Sequence, residues 1–446
     1  MASACLPLRP LPAAGRWAVL LVASFLLGGV LQWAYRTFPY ASGISLREVQ
    51  YRYMKSQSSD SLHTYTLYHD DAGDQNVQNN RPCHWWTALY DTDSNAWKDW
   101  AFNESGAALA LPYAYWELQP GPGAPAISNW TTLIYKAYAW SQGNGNLYVG
   151  SVNTQIFNST NTGLSATTNQ TLDAYGNLVQ QQVYDFGSST VTRTYNFSYL
   201  TDTNYTSRYI RNRLTLATVT SVSGTLTLAS NSYDGITCGA LQDPPGAPSS
   251  IPFHDANYST SFTYRGNPTS VSTPSASMCY AYQTTGVTYQ AQNAAGTLIA
   301  TAPSSSTSYS LPGVVTPNGN GNLATSFSYA DSWAVTSVTA PNGANATTTY
   351  DSLGRPSQTT IADGAATNYS YTYNPNTQTA TLGNRWTKTT LDGFGRVISV
   401  VQGHDSTPFS EVDTKYAPCG CSPLGKVSQV SEPYTPGGTV YWTTYA

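Results

Sequence analysis

Charge is what this chain of 446 residues has least of. Only 10% of them are Asp, Glu, Lys or Arg, and the 20 basic and 24 acidic side chains balance to −4 without a long block of either sign. Nucleic acids and acidic lipid surfaces are bound through clustered Lys and Arg, so neither is an expected partner. Histidine is scarce too, with His63, His69, His84, His254 and His404 the full set. The sequence has no G-x-S-x-G elbow, no H-E-x-x-H, no phosphate-binding loop and no G-x-G-x-x-G. These absences remove the motif-based grounds for a hydrolase, a zinc protease or a nucleotide enzyme. Beyond residue 36 there is no long segment of 3.6-residue period. What is abundant is Tyr (34), Gly (35), Asn, Ser and Thr. Tyr and Thr suit pleated, half-buried surfaces, and Asn, Gly and Ser suit the turns between them, so the expected class is all-β.

The one long apolar run is N-terminal. Arg9 and Arg16 precede an uncharged stretch from Trp17 to Tyr35, about the length of a single bilayer-crossing helix. One hydrophobic helix is therefore expected within 1–36, as a membrane anchor or an export signal. The rest would lie outside the cytoplasm, anchored and facing outward or secreted. The run closes with Leu31-Gln32-Trp33-Ala34-Tyr35-Arg36 and offers no convincing small-x-small cleavage site, which favours the anchor. Past it stand Cys83, Cys238, Cys279, Cys419 and Cys421, an odd number, so at least one thiol is expected to be free or paired with another chain.

The remaining chain reads as hairpins. Short alternating runs such as Thr192–Tyr199 and Tyr369–Tyr373 are separated by "QGNGNL" at 142–147, "PNGNGNL" at 317–323 and Pro-rich stretches at 119–126 and 242–252. Seven tryptophans fall between the anchor and residue 141 and only three later. This shift suggests a Trp-rich β region at 37–165 and a repeat region at 166–446.

One motif recurs. Tyr350-Asp351-Ser352-Leu353-Gly354-Arg355, Leu391-Asp392-Gly393-Phe394-Gly395-Arg396 and Leu172-Asp173-Ala174-Tyr175-Gly176-Asn177 share an order: Tyr or Leu, Asp, any residue, a bulky apolar residue, Gly, then Arg or Asn. Asp can open a type I turn by accepting backbone N–H bonds, and Gly three positions on can adopt the left-handed conformation that returns the chain. Each Asp is thus expected at a hairpin tip, where a pair such as Asp351 with Arg355 contributes only about 0.2–1 kcal/mol. Gly354 and Gly395 are 41 residues apart, or two units of about twenty. Weaker echoes are Tyr264-Arg265-Gly266-Asn267-Pro268 and Leu424-Gly425-Lys426-Val427.

"YDSLGRPSQTT", "LDGFGRVISVV" and "LDAYGNLVQQQ" resemble the YD repeats of the RHS (rearrangement hotspot) proteins, repeats shared with teneurins and bacterial toxin-complex subunits. The resemblance covers about residues 165–446. It implies a continuous sheet of hairpins winding spirally into a hollow shell, which in large members encloses a C-terminal toxin or enzyme domain. With few recognisable repeats and no toxin-like segment after "VYWTTYA", the expectation here is a short, open fragment of such a shell.

Each remaining candidate site has a plainer structural explanation. Asp173, Asp351 and Asp392 occupy one place in one kind of turn, where bonding to backbone accounts for them without catalysis. Cys419-Gly420-Cys421 has only His404 and Asp405 as companions within reach in sequence, and two thiolates plus one histidine would leave a tetrahedral metal set incomplete; Cys83-His84 raises the same question. No metal or cofactor is expected. Trp85, Trp86, Trp97 and Trp100 could stack on sugar rings as a glycan platform, although tryptophans in a Leu-poor region are more often core. Nine N-x-[ST] sequons accompany a composition rich enough in Asn, Ser and Thr to produce them by chance. The expected function is non-catalytic: a structural or adhesive envelope protein, with a glycan or protein partner at the cell surface. The alternative is the shell fragment of a polymorphic toxin system whose cargo another chain supplies or truncation has removed. A third reading is an extracellular glycan-active enzyme.

Overall fold

The structure, a computed structural model, describes residues 30–445 apart from 40–44, 56–60, 70–83, 93–94, 104, 121–129, 144–145, 158–162, 374 and 420–421. It is almost wholly β. The first strands are β1 (Val30–Pro39), β2 (Ser45–Lys55), β3 (His63–His69), β4 (Trp86–Asp91), β5 (Ala96–Phe102), β6 (Pro112–Pro120), β7 (Trp130–Gly143) and β8 (Asn146–Phe157). Next come β9 (Gly163–Leu172), β10 (Leu178–Tyr184), β11 (Arg193–Tyr199), β12 (Leu214–Ser221), β13 (Gly224–Tyr233), β14 (Pro268–Ser272), β15 (Ser277–Tyr282), β16 (Thr288–Asn293), β17 (Leu298–Pro303) and β18 (Pro312–Pro317). The last are β19 (Thr325–Tyr329), β20 (Val335–Thr339), β21 (Asn345–Tyr350), β22 (Pro356–Thr360), β23 (Ala366–Tyr373), β24 (Asn376–Leu382), β25 (Arg385–Leu391), β26 (Val397–His404), β27 (Thr407–Cys419), β28 (Ser422–Ser431) and β29 (Trp442–Thr444).

These form one 29-stranded antiparallel sheet in which each strand pairs with the next in sequence. Short turn-forming segments between runs of Thr, Tyr and Ser dictate that topology, because a two- to five-residue connection can only return the chain antiparallel beside itself. The compositional boundary near 165 falls inside β9, which pairs with both β8 and β10, so the Trp-rich and repeat regions share one sheet.

The N-terminal expectation requires correction. Val30–Tyr35, the end of the apolar run, lies in β1 and pairs with β2, and Arg36 beyond it is in the same strand. Once a neighbouring strand supplies partners for its N–H and C=O groups, an apolar segment rich in aromatics satisfies its backbone as well in a sheet as in a helix. The rest of the run lies outside the described residues. Among the described residues, no helix is long and apolar enough to cross a membrane.

Buried apolar side chains concentrate near the first strands, among them Met54, Tyr65, Ala88, Ala101, Ala114 and Tyr115. Further along, β10 and β20 are half-buried at every position, the pattern of a single-layer sheet with both faces partly open.

Candidate functional site: the turn edge and the tryptophan strands

The three motif turns are built alike. In each, the Asp N–H donates to the carbonyl four residues on, Asp173 to Asn177, Asp351 to Arg355 and Asp392 to Arg396, at 2.8 Å every time. The Gly N–H returns to the Asp carbonyl, at 3.2 Å for Gly176, 3.0 Å for Gly354 and 3.1 Å for Gly395. These glycines have φ of +85°, +76° and +78°, the left-handed region in which a Cβ is strained. One carboxylate oxygen of Asp351 accepts from the backbone N–H of Leu353 (2.9 Å) and Arg355 (3.0 Å). The other accepts from Arg355 Nε at 2.8 Å. The Arg355 bonds hold the Asp351 carboxyl below the usual carboxylate range. Asp392 and Arg396 repeat this geometry with the Asp side chain fully buried, and in the third turn Asn177 Nδ2 replaces the guanidinium, 2.8 Å from Asp173. Arg355 then stacks on the Tyr371 ring at 4.2 Å and Arg396 on Tyr416 at 4.0 Å.

A second element of the repeat escaped the sequence reading. Seven tyrosines near strand ends each donate a hydroxyl to the first carbonyl of the preceding strand. They are Tyr199 to Leu178 (3.0 Å), Tyr233 to Leu214 (2.7 Å), Tyr282 to Pro268 (2.9 Å), Tyr329 to Pro312 (2.6 Å), Tyr350 to Val335 (2.7 Å), Tyr371 to Pro356 (3.0 Å) and Tyr416 to Val397 (3.0 Å). Burial raises the pKa of Tyr199, Tyr282, Tyr329 and Tyr371, so these hydroxyls remain donors across the physiological range.

The ladder also exposes degenerate turns. Gln283-Thr284-Thr285-Gly286-Val287 and Ala330-Asp331-Ser332-Trp333-Ala334 close with the same two backbone bonds, and Trp333 takes φ +63° where the motif has Gly. After Tyr233 the turn is divided by an insertion. Asp234 holds the N–H groups of Arg265 and Gly266 on one oxygen and that of Asn267 on the other, at 2.6–3.0 Å. The echo Tyr264–Pro268 is therefore the second half of a turn whose first half is Tyr233-Asp234. The intervening segment is tied to the sheet by a Cys238–Cys279 disulfide, by Thr284 to Asp243 (2.7 Å) and by Tyr289 to the Ala240 carbonyl (2.9 Å). Cys83 and Cys421, and the side chain of Cys419, lie outside the described residues.

Strand alternation divides the tryptophans. Trp97 and Trp100 are three apart in β5, so their rings point to opposite faces. Trp86 pairs with Ala101 and shares the face of Trp97, whose ring lies 4.6 Å from Tyr90 and 5.2 Å from Tyr68. Trp100 packs on Tyr115 on the other face, at 5.3 Å. Trp85 precedes β4, where its carbonyl accepts from Phe102.

A buried polar group at the first strands also went unread. Glu48 meets Arg36 at 3.1 Å and His84 at 2.7 Å. His84 stacks on His69 at 4.5 Å, and the two His69 nitrogens are each 3.1 Å from Thr87 Oγ1 and the Val49 carbonyl. Burial pushes His69 below its usual pKa. With both His69 ring nitrogens engaged and Thr87 buried, the cluster packs β2, β3 and β4 together. Among the described residues no group of His, Cys, Asp and Glu could hold a metal ion.

These features define an open, single-sheet hairpin array pinned along its edge by Asp turns and tyrosine hydroxyls. No protein-family model matches the chain, and no curated protein matches it. Among solved structures, the TcdB2-TccC3 complex is similar with a TM-score of 0.58 at 8% identity, over 92% of this chain and 31% of that one. The Photorhabdus luminescens Tc holotoxin pore is matched over 94% of this chain and 25% of that one, also at 8% identity, with a TM-score of 0.36 too low to carry an argument. At such identity the first likeness shows the fold alone, a long antiparallel hairpin sheet of shell type.

Proposed function

We propose that this protein is a non-catalytic wall segment of an RHS-type β-shell in a toxin system, enclosing a polypeptide cargo. The observation that carries this reading is the uninterrupted hairpin sheet, whose likeness to TcdB2-TccC3 extends over 92% of the chain. The chemistry of the edge supports it: the Asp carboxylates of the three motif turns accept backbone and Arg or Asn donors, which leaves them the work of shape rather than of bond breaking. The adhesive reading rests on tryptophans that the strands distribute over two faces.

The test is purification of the full chain from its source cells with whatever co-purifies, followed by protease challenge. A shell wall should bring down a companion polypeptide that resists digestion until the shell is dissociated by mild denaturant. A companion cut at the same rate in the complex as when free would overturn the reading, as would a chain that purifies alone and turns over a glycan.

A further inference from the structure

Among the described residues, Asp99 is the only charged residue on its face of the sheet from β3 through β24. The register puts Asp99 of β5 opposite Ala88 of β4 and Trp116 of β6, with Trp97 and Ala101 two positions away on its own strand. Following that face along the sheet, the described positions are aromatic, aliphatic, small, hydroxyl or amide, and uncharged, until Lys388 in β25. The neighbouring charges Lys98, Glu117 and Lys136 point to the opposite face, where Lys98 meets Glu117 at 3.7 Å and Lys136 lies over Tyr115. The titratable groups sharing the face of Asp99 on β3, β4 and β7 are the phenols of Tyr68, Tyr90 and Tyr135, and β6 contributes none.

Asp99 is nonetheless 94% buried, at 6% relative exposure. Trp86 donates to its carboxylate, while its Oδ1 has no hydrogen-bond partner among the described residues. An isolated carboxylate with an orphaned oxygen is costly, and no cation on this face between β3 and β24 offsets it among the described residues. Half-buried rings lie beside it: Trp97 packs against Tyr68 and Tyr90 at 5.2 and 4.6 Å, and Trp116 lies 5.4 Å from Tyr135. Indole faces attract cations, and a buried carboxylate among them supplies the full negative charge.

We propose that Asp99, with Trp86, Trp97 and Trp116, forms a binding site for an organic ammonium group, which rotation of the half-buried indoles admits and whose charge the carboxylate neutralises. The inference is independent of the shell reading. The ammonium can come from a small quaternary amine or from a lysine side chain of a bound polypeptide.

The test is indole fluorescence of the full chain, at constant ionic strength, titrated with choline, with its neutral isostere 3,3-dimethyl-1-butanol and with a lysine-containing peptide whose control has acetyl-lysine. Choline or the lysine peptide should produce a saturable change, about tenfold or more tighter than the uncharged counterpart. Saturation by choline alone identifies a small quaternary amine, and saturation by the peptide a polypeptide ligand. Asp99→Asn should abolish the preference for charge. Because burial pushes the Asp99 carboxyl up to about 6, the wild-type protein should lose that preference as the pH falls through this value, which tests the site even if the variant fails to fold. Equal response to charged and neutral ligands, no saturation by any cation, or a preference unchanged at pH 4.5 (about 1.5 units below that value) would each overturn the proposal.

Discussion

The Tyr350 hydroxyl donates to the carbonyl of Val335 at 2.7 Å, tying the end of β21 to the start of β20 immediately before the Asp351 turn. The tyrosine and the aspartate of the motif thus do separate jobs. One pins two strands at their ends, and the other shapes the reversal into the next hairpin. Tyr350→Phe should lower unfolding free energy by about 0.5–1.5 kcal/mol, the contribution of one such hydrogen bond, with the denaturant slope unchanged in a urea titration. The same change at Tyr195, which makes no such bond in β11, is the control.

Burial separates the two arginine turns. The Asp351 side chain keeps 25% exposure and that of Asp392 none. Asp351→Asn should therefore have little effect, whereas Asp392→Asn, which leaves Arg396 without its buried counter-charge, should destabilise by about 3 kcal/mol in the same titration. Gly354→Ala and Gly395→Ala should each cost about 1 kcal/mol because of their positive φ.

The divided turn makes its own forecast. Asp234→Ala removes the acceptor for three backbone N–H groups of residues 265–267, so limited proteolysis should cut within 235–264 several-fold faster while the flanking repeats stay resistant. Unchanged cleavage would show that the disulfide and the Tyr289 contact hold the insertion without the carboxylate.

Two buried groups give opposite pH dependences. Asp99 has a folded pKa of about 6, above its unfolded value, so it binds its proton more tightly when folded. Its contribution is greatest below the unfolded carboxylate pKa and is lost as the pH rises through about 6. His69 is held below its unfolded value by burial, so its contribution is present above the ordinary imidazole pKa and fades as the pH falls below it. Thermal melts of Asp99→Asn between pH 4.5 and 7.5 should lack the gain on acidification and retain the His69 loss, and His69→Gln should do the reverse.

Residue pattern by itself determined the all-β class, the hairpin tips at Asp173, Asp351 and Asp392 and the twenty-residue unit, because turns are local: Asp and Gly act within four positions. Tertiary structure alone decided what depends on the neighbouring strand. An apolar run long enough for a helix can instead pair with β2, as Val30–Tyr35 does, and no local period distinguishes the two in so short a segment. The tyrosine ladder was hidden because each hydroxyl reaches a carbonyl 14 to 21 residues away, and the Asp234 turn because 30 residues separate its halves. Trp97 and Trp100 look like one platform in sequence, yet the two-residue period of a strand sets them on opposite faces. The charge-free surroundings of Asp99 emerge only when the register aligns twenty-two strands, because a sheet face is assembled from every second residue of each.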